Sequence, residues 1–302
     1  MAPVAARTLI IGSRGSAFAL WQARFVASLL DRAGFGARIE IIRTTGDHLQ
    51  TASLMQAGGK GLFTKEIEDA LLAGTIDMAV HSLKDLPVEL PPGLTIAAIP
   101  ERESPFDALL GTKLEQLPAG ARVGTSSGRR AAQLRRLRGD LEIEPIRGNV
   151  DTRLRKLKEG QFDAILLAVA GLKRLGFDNQ IAQVFSSQEI CPAPGQGALA
   201  IETRSGGDVY EICGRLDHPS TREVVSCERA VLAGLGGGCQ LPVGAFAEAL
   251  DGGIRVEAVV ISPDGSQCLR VEMTGEDPEE LGSAGAADLL ARGAANLLAQ
   301  SA

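Results

Sequence analysis

Three groups of residues carry the chemistry open to this chain. Cys239 stands in Gly236-Gly-Gly-Cys-Gln-Leu-Pro242, a thiol on a glycine loop. Glycine removes side-chain bulk, so a large group can approach or join that sulfur, although an inert buried cysteine is the plainer reading of the same residues. Lys84 and Asp85 end His81-Ser-Leu-Lys-Asp85, just past the apolar run Ile76–Val80. A carboxylate there can stabilise developing positive charge and exchange protons, whereas two adjacent surface charges are the default. Gly124-Thr-Ser-Ser-Gly-Arg-Arg130 and Arg147-Gly-Asn-Val-Asp-Thr-Arg153 each put caps and arginines where a strand gives way to a helix. Free N–H groups, the helix dipole and guanidinium forks suit a carboxylate or phosphate there. Either alone also reads as an ordinary capped helix start; two so close in sequence favour an anion site.

Other candidates are weaker. Gly12-Ser-Arg-Gly-Ser-Ala17 follows a strand and opens a helix, which suits an anion, but it lacks the spacing of a dinucleotide fingerprint. Gly58-Gly-Lys-Gly61 is a basic loop without the full phosphate-loop pattern. His48, His81 and His218 have no metal-ligand spacing, so ordinary hydrogen-bonding roles and no metal are expected.

Positioning these groups requires an α/β framework. Strands are expected at Leu9–Ile11, Ile39–Ile42, Ile76–Val80, Leu94–Ile99, Arg122–Gly124, Ile143–Ile146, Ala164–Val169 and Ala198–Glu202. Helices fall between them at Ala17–Leu30, Thr64–Leu72, Gly128–Leu137 and Asp151–Lys158. A helix over Ser220–Leu232 leads to the glycine loop. Strands Val243–Ala247, Ile254–Ser262 and Cys268–Met273 then precede a closing helix near Pro278–Ala299. Ser262-Pro-Asp-Gly265 is a hairpin signal, and the tail reads as a separate α+β domain.

Composition narrows the function. The net charge is −6, yet Arg122–Lys158 holds eleven basic and four acidic residues, and Leu241–Ala302 three basic and ten acidic. A basic segment inside an acidic chain points to an anion held locally. One Trp, one Tyr and nine Phe are poor material for a nucleic-acid stacking surface. The longest apolar run is short of the roughly 20 residues a membrane helix needs. Five cysteines without Cys-x-x-Cys spacing favour reduced thiols. The start, Met1-Ala-Pro-Val-Ala-Ala-Arg7, does not look like a secretory signal, so a cytoplasmic location is expected.

Taken in order, these segments resemble the hydroxymethylbilane synthase (porphobilinogen deaminase) family. The resemblance rests on Ile11-Gly-Ser-Arg-Gly-Ser-Ala-Phe-Ala-Leu-Trp-Gln22, Gly58-Gly-Lys-Gly-Leu-Phe63 and His81-Ser-Leu-Lys-Asp-Leu-Pro87. It continues through Gly124–Arg130, Arg147-Gly-Asn149, Leu166–Gly176, Pro194-Gly-Gln-Gly197 and Gly237-Gly-Cys-Gln-Leu-Pro242. It spans about residues 8 to 265, the acidic tail matching loosely. The resemblance implies two lobes like those of a periplasmic binding protein, flanking a cleft, plus a small C-terminal α+β domain. The expected boundaries are 1–100 with 195–216, then 101–194, then 217–302.

The resemblance also implies an activity: four porphobilinogens joined head to tail onto a dipyrromethane primer, with loss of ammonia, then hydrolysis to the linear tetrapyrrole. Cys239 would hold the primer by a thioether. Asp85 is the implied catalytic carboxylate, with Lys84 and Arg14 beside it. Ser16, Lys84, Asp85, Thr125, Ser126, Ser127, Arg129, Arg130, Arg147 and Arg153 are the implied cofactor contacts. Arg14, Arg147, Arg153 and Arg174 would meet substrate carboxylates, and Asp47 and Lys60 would belong to a lid loop. Thr45, Gln56 and Gly128 depart from the usual Arg, Lys and bulkier residue of the family. Porphobilinogen would be the partner, with neither nucleic acid nor membrane, and the chain would be a monomer. A non-catalytic anion-binding protein of the same two-lobed fold is the competing expectation; it leaves Cys239 and the C-terminal domain unexplained.

Overall fold

The computed structural model describes residues 7–44, 64–237 and 241–300. The chain divides into two compact units, residues 1–102 with 198–221 and residues 103–197 with 222–302.

The first unit holds β1 (Leu9–Ser13), α1 (Ala17–Arg32), β2 (Ala37–Ile41), α2 (Lys65–Leu72), β3 (Met78–Ser82) and β4 (Leu94–Ala98). Its sheet runs β2-β1-β3-β10-β4, where β10 (Leu199–Arg204) lies antiparallel to both neighbours. Ser16 caps α1 by accepting from Ala19 N at 3.2 Å. The stripe Ala23, Val26 and Leu30 is buried against Leu9, Ile11, Met78 and Val80. Burying a Val or Leu side chain contributes roughly 1.5–3 kcal/mol, so this stripe, more than propensity, seats the helix on the sheet. α6 (Gly207–Gly214) adds Val209, Ile212 and Cys213 to the same core.

The second unit repeats that plan. Its strands are β5 (Asp107–Leu110), β6 (Arg122–Gly124), β7 (Glu142–Glu144), β8 (Ala164–Ala168) and β9 (Ile181–Val184), in the order β7-β6-β8-β5-β9. Here β5 is the strand antiparallel to both neighbours. Helices α3 (Gly128–Leu137), α4 (Val150–Lys158) and α5 (Val169–Arg174) follow strand ends. The remainder carries α7 (Pro219–Gly234) and an antiparallel meander of β11 (Val243–Leu250), β12 (Gly253–Ile261) and β13 (Cys268–Gly275). Helices α8 (Pro278–Ala291) and α9 (Ala294–Ala299) cover it. A Cβ on Gly282 would lie 2.3 Å from the carbonyl of Cys227, so glycine is what lets α8 approach α7.

Several elements differ from the sequence expectation. β5 and β9 were not expected: β5, four residues buried on both faces, shows no alternation, and β9 is a four-residue edge strand that is only partly buried. The strand at Ala164 ends at Ala168, and Val169 begins a helix. The closing helix breaks at Gly293, whose φ of 96° is left-handed. The hairpin at Ser262–Gly265 forms, with Gly265 N donating to Ser262 O at 2.8 Å. The meander has its own sheet but shares one compact unit with the second five-stranded sheet, and Phe246 packs on Phe106 with ring centroids 5.5 Å apart. Among the described residues, no helix is long and apolar enough to cross a membrane.

Candidate functional site

In the first unit, the end of β3 is built to display a charged pair. Leu83–Asp85 forms one 3₁₀ turn. Leu83 N donates to Ala198 O at 3.0 Å, and Leu86 N closes the turn onto Leu83 O at 3.2 Å. Leu83 and Leu86 are buried at either side, so Lys84 is left half-buried and Asp85 exposed. Buried Gln22, on α1, donates from Nε2 to Ser82 Oγ at 2.8 Å. That bond ties the helix capped by Ser16 to the turn carrying Asp85. Arg14 is half-buried in the short link between β1 and α1. Behind the turn, His81 Nε2 lies 3.0 Å from the buried carboxylate of Glu202. His218 Nδ1 accepts from Thr221 N at 3.2 Å.

In the second unit, two strand ends are shaped alike. Gly124 closes β6 where a Cβ would press on Phe162, Ile146 and Ile165 at 3.0–3.2 Å. Ser127 then caps α3, its Oγ accepting from Arg130 N at 3.4 Å. Thr125 Oγ1 accepts from Ser127 N at 3.2 Å, and Ser126 Oγ donates to Ile146 O at 2.7 Å. A hydroxyl that accepts still has its own hydrogen to give, so Thr125 and Ser127 retain a donor while Ser126 has committed its own. Asn149 caps α4 by accepting from Thr152 N at 2.9 Å.

The arginines are not equivalent. Arg147 is exposed. Arg153 is half-buried and donates from Nε to Gly148 O at 2.8 Å; burial, then nearby Arg130, lower its pKa. Arg174 donates from Nη2 to Gly197 O at 2.6 Å, and burial brings its pKa down to about 10. Arg129 and Arg130 are both buried, and both bind Asp107, at 2.8 and 2.6 Å. The sequence reading gives both guanidinium groups to a ligand, whereas here much of their donor capacity is already engaged inside the unit. Burial raises the Asp107 carboxyl pKa, but the two arginines outweigh that and hold it well below the usual range.

Sequence reasoning missed Asp107, Gln22, Gln196, Glu202 and Glu228. The one available signal was a single acid opening the apolar run Asp107-Ala-Leu-Leu110. Asp47, Lys60, Thr45, Gln56 and Cys239 lie outside the described residues. The other four cysteines are free thiols. Burial pushes Cys191, Cys213 and Cys227 up to about 12 and raises Cys268 as well, so none has appreciable thiolate at neutral pH. Native alkylation at pH 7 is therefore expected to spare Cys191, Cys213 and Cys227; mass mapping of the labelled peptides checks this.

No group of three or more His, Cys, Asp or Glu able to hold a metal occurs among the described residues. Fold and site together define an α/β protein with hydroxyls and arginines gathered at strand ends and an exposed Asp85 on a 3₁₀ turn. Residues 9–211 match the porphobilinogen deaminase dipyrromethane cofactor binding domain, and residues 223–291 match the porphobilinogen deaminase C-terminal domain. The chain belongs to the porphobilinogen deaminase family, and it is an enzyme. The porphobilinogen deaminase of Thiobacillus denitrificans is 50% identical over 299 residues, covering 96% of this chain and 98% of the relative. That of Thermus thermophilus is 48% identical over 303 residues, covering 97% and 99%. A TRAP periplasmic solute binding protein from Desulfovibrio salexigens aligns at a TM-score of 0.40 with 13% identity, over 70% of this chain and 72% of that one.

Proposed function

We propose that this chain is a hydroxymethylbilane synthase. It condenses four porphobilinogen molecules head to tail on a dipyrromethane primer, releases ammonia at each step, and hydrolyses the product free. The observation that carries this reading is the exposed Asp85 on a turn pinned by two buried leucines, inside a chain matched by the family over nearly its whole length.

The residues present fit the primer. A dipyrromethane bears carboxylates, and the second unit offers Arg129 Nε, a buried donor without a partner, together with the hydroxyl hydrogens of Thr125 and Ser127. Exposed Arg147 and half-buried Arg153 are further contacts for it, and Cys239 is the attachment atom. When bound, the group supplies the pyrrole carbon that attacks the incoming substrate. Each charge-assisted hydrogen bond in such a set contributes about 1.5–3 kcal/mol, against under about 1 for a lone exposed pair. Several of them hold a polyanion although the whole chain is negative.

Asp85 accepts from pyrrole N–H groups and offsets the positive charge that grows on the substrate as ammonia leaves. It also takes part in protonating the leaving amine and in removing the proton from the new linkage. Lys84, Arg14, Ser16 and Arg174 orient carboxylates of substrate and primer, and Asp47 and Lys60 act in a lid. The enzyme works as a cytoplasmic monomer; four free, unpaired thiols among the described residues suit a reducing compartment.

The test is the intact mass of the purified chain beside Cys239→Ser. The wild-type chain is expected to exceed its polypeptide mass by two linked pyrrole units, and the variant to show none. If the wild-type chain carries no adduct and gains none after porphobilinogen is added, the synthase reading fails. A non-catalytic anion-binding protein then becomes the better description.

A further inference from the structure

Asp107 opens β5 with no exposed surface, and its carboxylate is shared among three side chains. Oδ1 accepts from Arg130 Nε at 2.9 Å, from Arg130 Nη2 at 2.6 Å and from Gln196 Nε2 at 2.9 Å. Oδ2 accepts from Arg129 Nη1 at 2.8 Å, and the same nitrogen donates to Cys191 O at 2.6 Å. Gln196, the glutamine of Pro194-Gly-Gln-Gly197, also donates to Pro105 O at 2.6 Å, which fixes the carboxylate from behind.

Two guanidinium groups share this one carboxylate, and all three side chains are buried. The two arginines also differ in what they leave open. Arg130 is gripped side-on through Nε and Nη2, and its Nη1 points to Leu166 O at 3.4 Å. Arg129 is held by Nη1 alone, and its Nε is buried without a partner.

We infer that Asp107 is a positioning residue for cofactor loading: it braces Arg130 as a strut and fixes Arg129, whose buried Nε has no partner within the chain, to receive one carboxylate of the dipyrromethane. This inference rests on the proposed function. It assigns to one buried acid the placement of the two arginines that family resemblance alone treats as free contacts. It also gives the Pro194–Gly197 segment a task, since Gln196 supports that acid from the next loop.

The test compares intact masses of wild-type, Asp107→Asn and Asp107→Glu chains purified alike and then incubated with porphobilinogen. Folding is checked by circular dichroism and by a monodisperse elution peak. For folded Asp107→Asn, the adduct-bearing fraction is expected to fall at least tenfold. In Asp107→Glu the charge is kept but the oxygens are displaced, and partial recovery of loading is expected. A folded Asp107→Asn chain that loads as fully as wild type overturns the inference. If Asp107→Asn does not fold, Asp107→Glu decides: a folded chain with reduced loading supports the inference, and full loading overturns it. A wild-type chain that takes up no adduct would instead bring down the functional reading beneath it.

Discussion

Asp85→Asn is expected to keep the fold and the covalently loaded state while losing turnover by about 10²–10⁴-fold, the usual contribution of a positioned acid–base group. The expectation follows from where the residue sits. Asp85 is exposed at the end of a turn whose order comes from Leu83, Leu86 and the Leu83 N to Ala198 O bond, none of which involves the carboxylate. An exposed substitution of that kind changes stability by less than about 0.5 kcal/mol. The amide keeps one acceptor but has no negative charge to set against the cation formed as ammonia departs. Asp85→Glu restores the charge on a longer arm, and a misplacement of about 1 Å still costs about 10²-fold. Steady-state rates beside intact masses check both variants. Normal turnover by a loaded Asp85→Asn chain would remove the residue from the mechanism.

Glu228→Ala is expected to destabilise the second unit by about 2–6 kcal/mol. Glu228 has no exposed surface, and its two oxygens accept from Gly195 N at 2.7 Å and from Ala247 N at 2.8 Å. Truncation leaves two buried backbone donors unsatisfied, each costing about 1–3 kcal/mol. Glu228→Gln should fall between, since an amide supplies one oxygen and turns an N–H₂ group toward the other donor. Urea unfolding checks this through a lower midpoint at an unchanged slope. An unmoved midpoint in Glu228→Ala would show that water or the rearranged backbone satisfies both donors.

The architecture was legible in the sequence wherever local rules act. Ser16, Ser127 and Asn149 each cap the helix that their place after a strand and glycine suggests. The tail hairpin follows from Pro263-Asp-Gly265, and the display of Lys84 and Asp85 from the apolar run before them. What escaped depends on partners far away along the chain. Asp107 binds residues 22 and 23 positions on, and the Glu228 oxygens accept from the backbone N–H groups of Gly195 and Ala247. A buried acid that serves the backbone leaves no pattern among side chains. Thr64 is the opposite case: it has the right type for a cap before α2, yet makes no capping bond. Two neighbouring arginines at a helix start looked like open anion receptors because their counter-charge lies on another strand.

The remote strand in the first unit's sheet bears on how the chain is made. β10 pairs along β3 from Leu199 opposite Ser82 to Thr203 opposite Met78, and Ala198 anchors Leu83 at the start of the 3₁₀ turn. A ribosome emitting the chain from its N-terminus delivers β3 roughly 120 residues before the strand that completes its pairing, on the order of ten seconds at ordinary translation speeds. Through that interval β3 is an open, apolar sheet edge of the kind that invites association with other chains. The turn bearing Asp85 acquires its anchor only when about two thirds of the polypeptide exists. Fragments that stop before Ala198 would therefore be sticky and catalytically empty, however complete their motifs look.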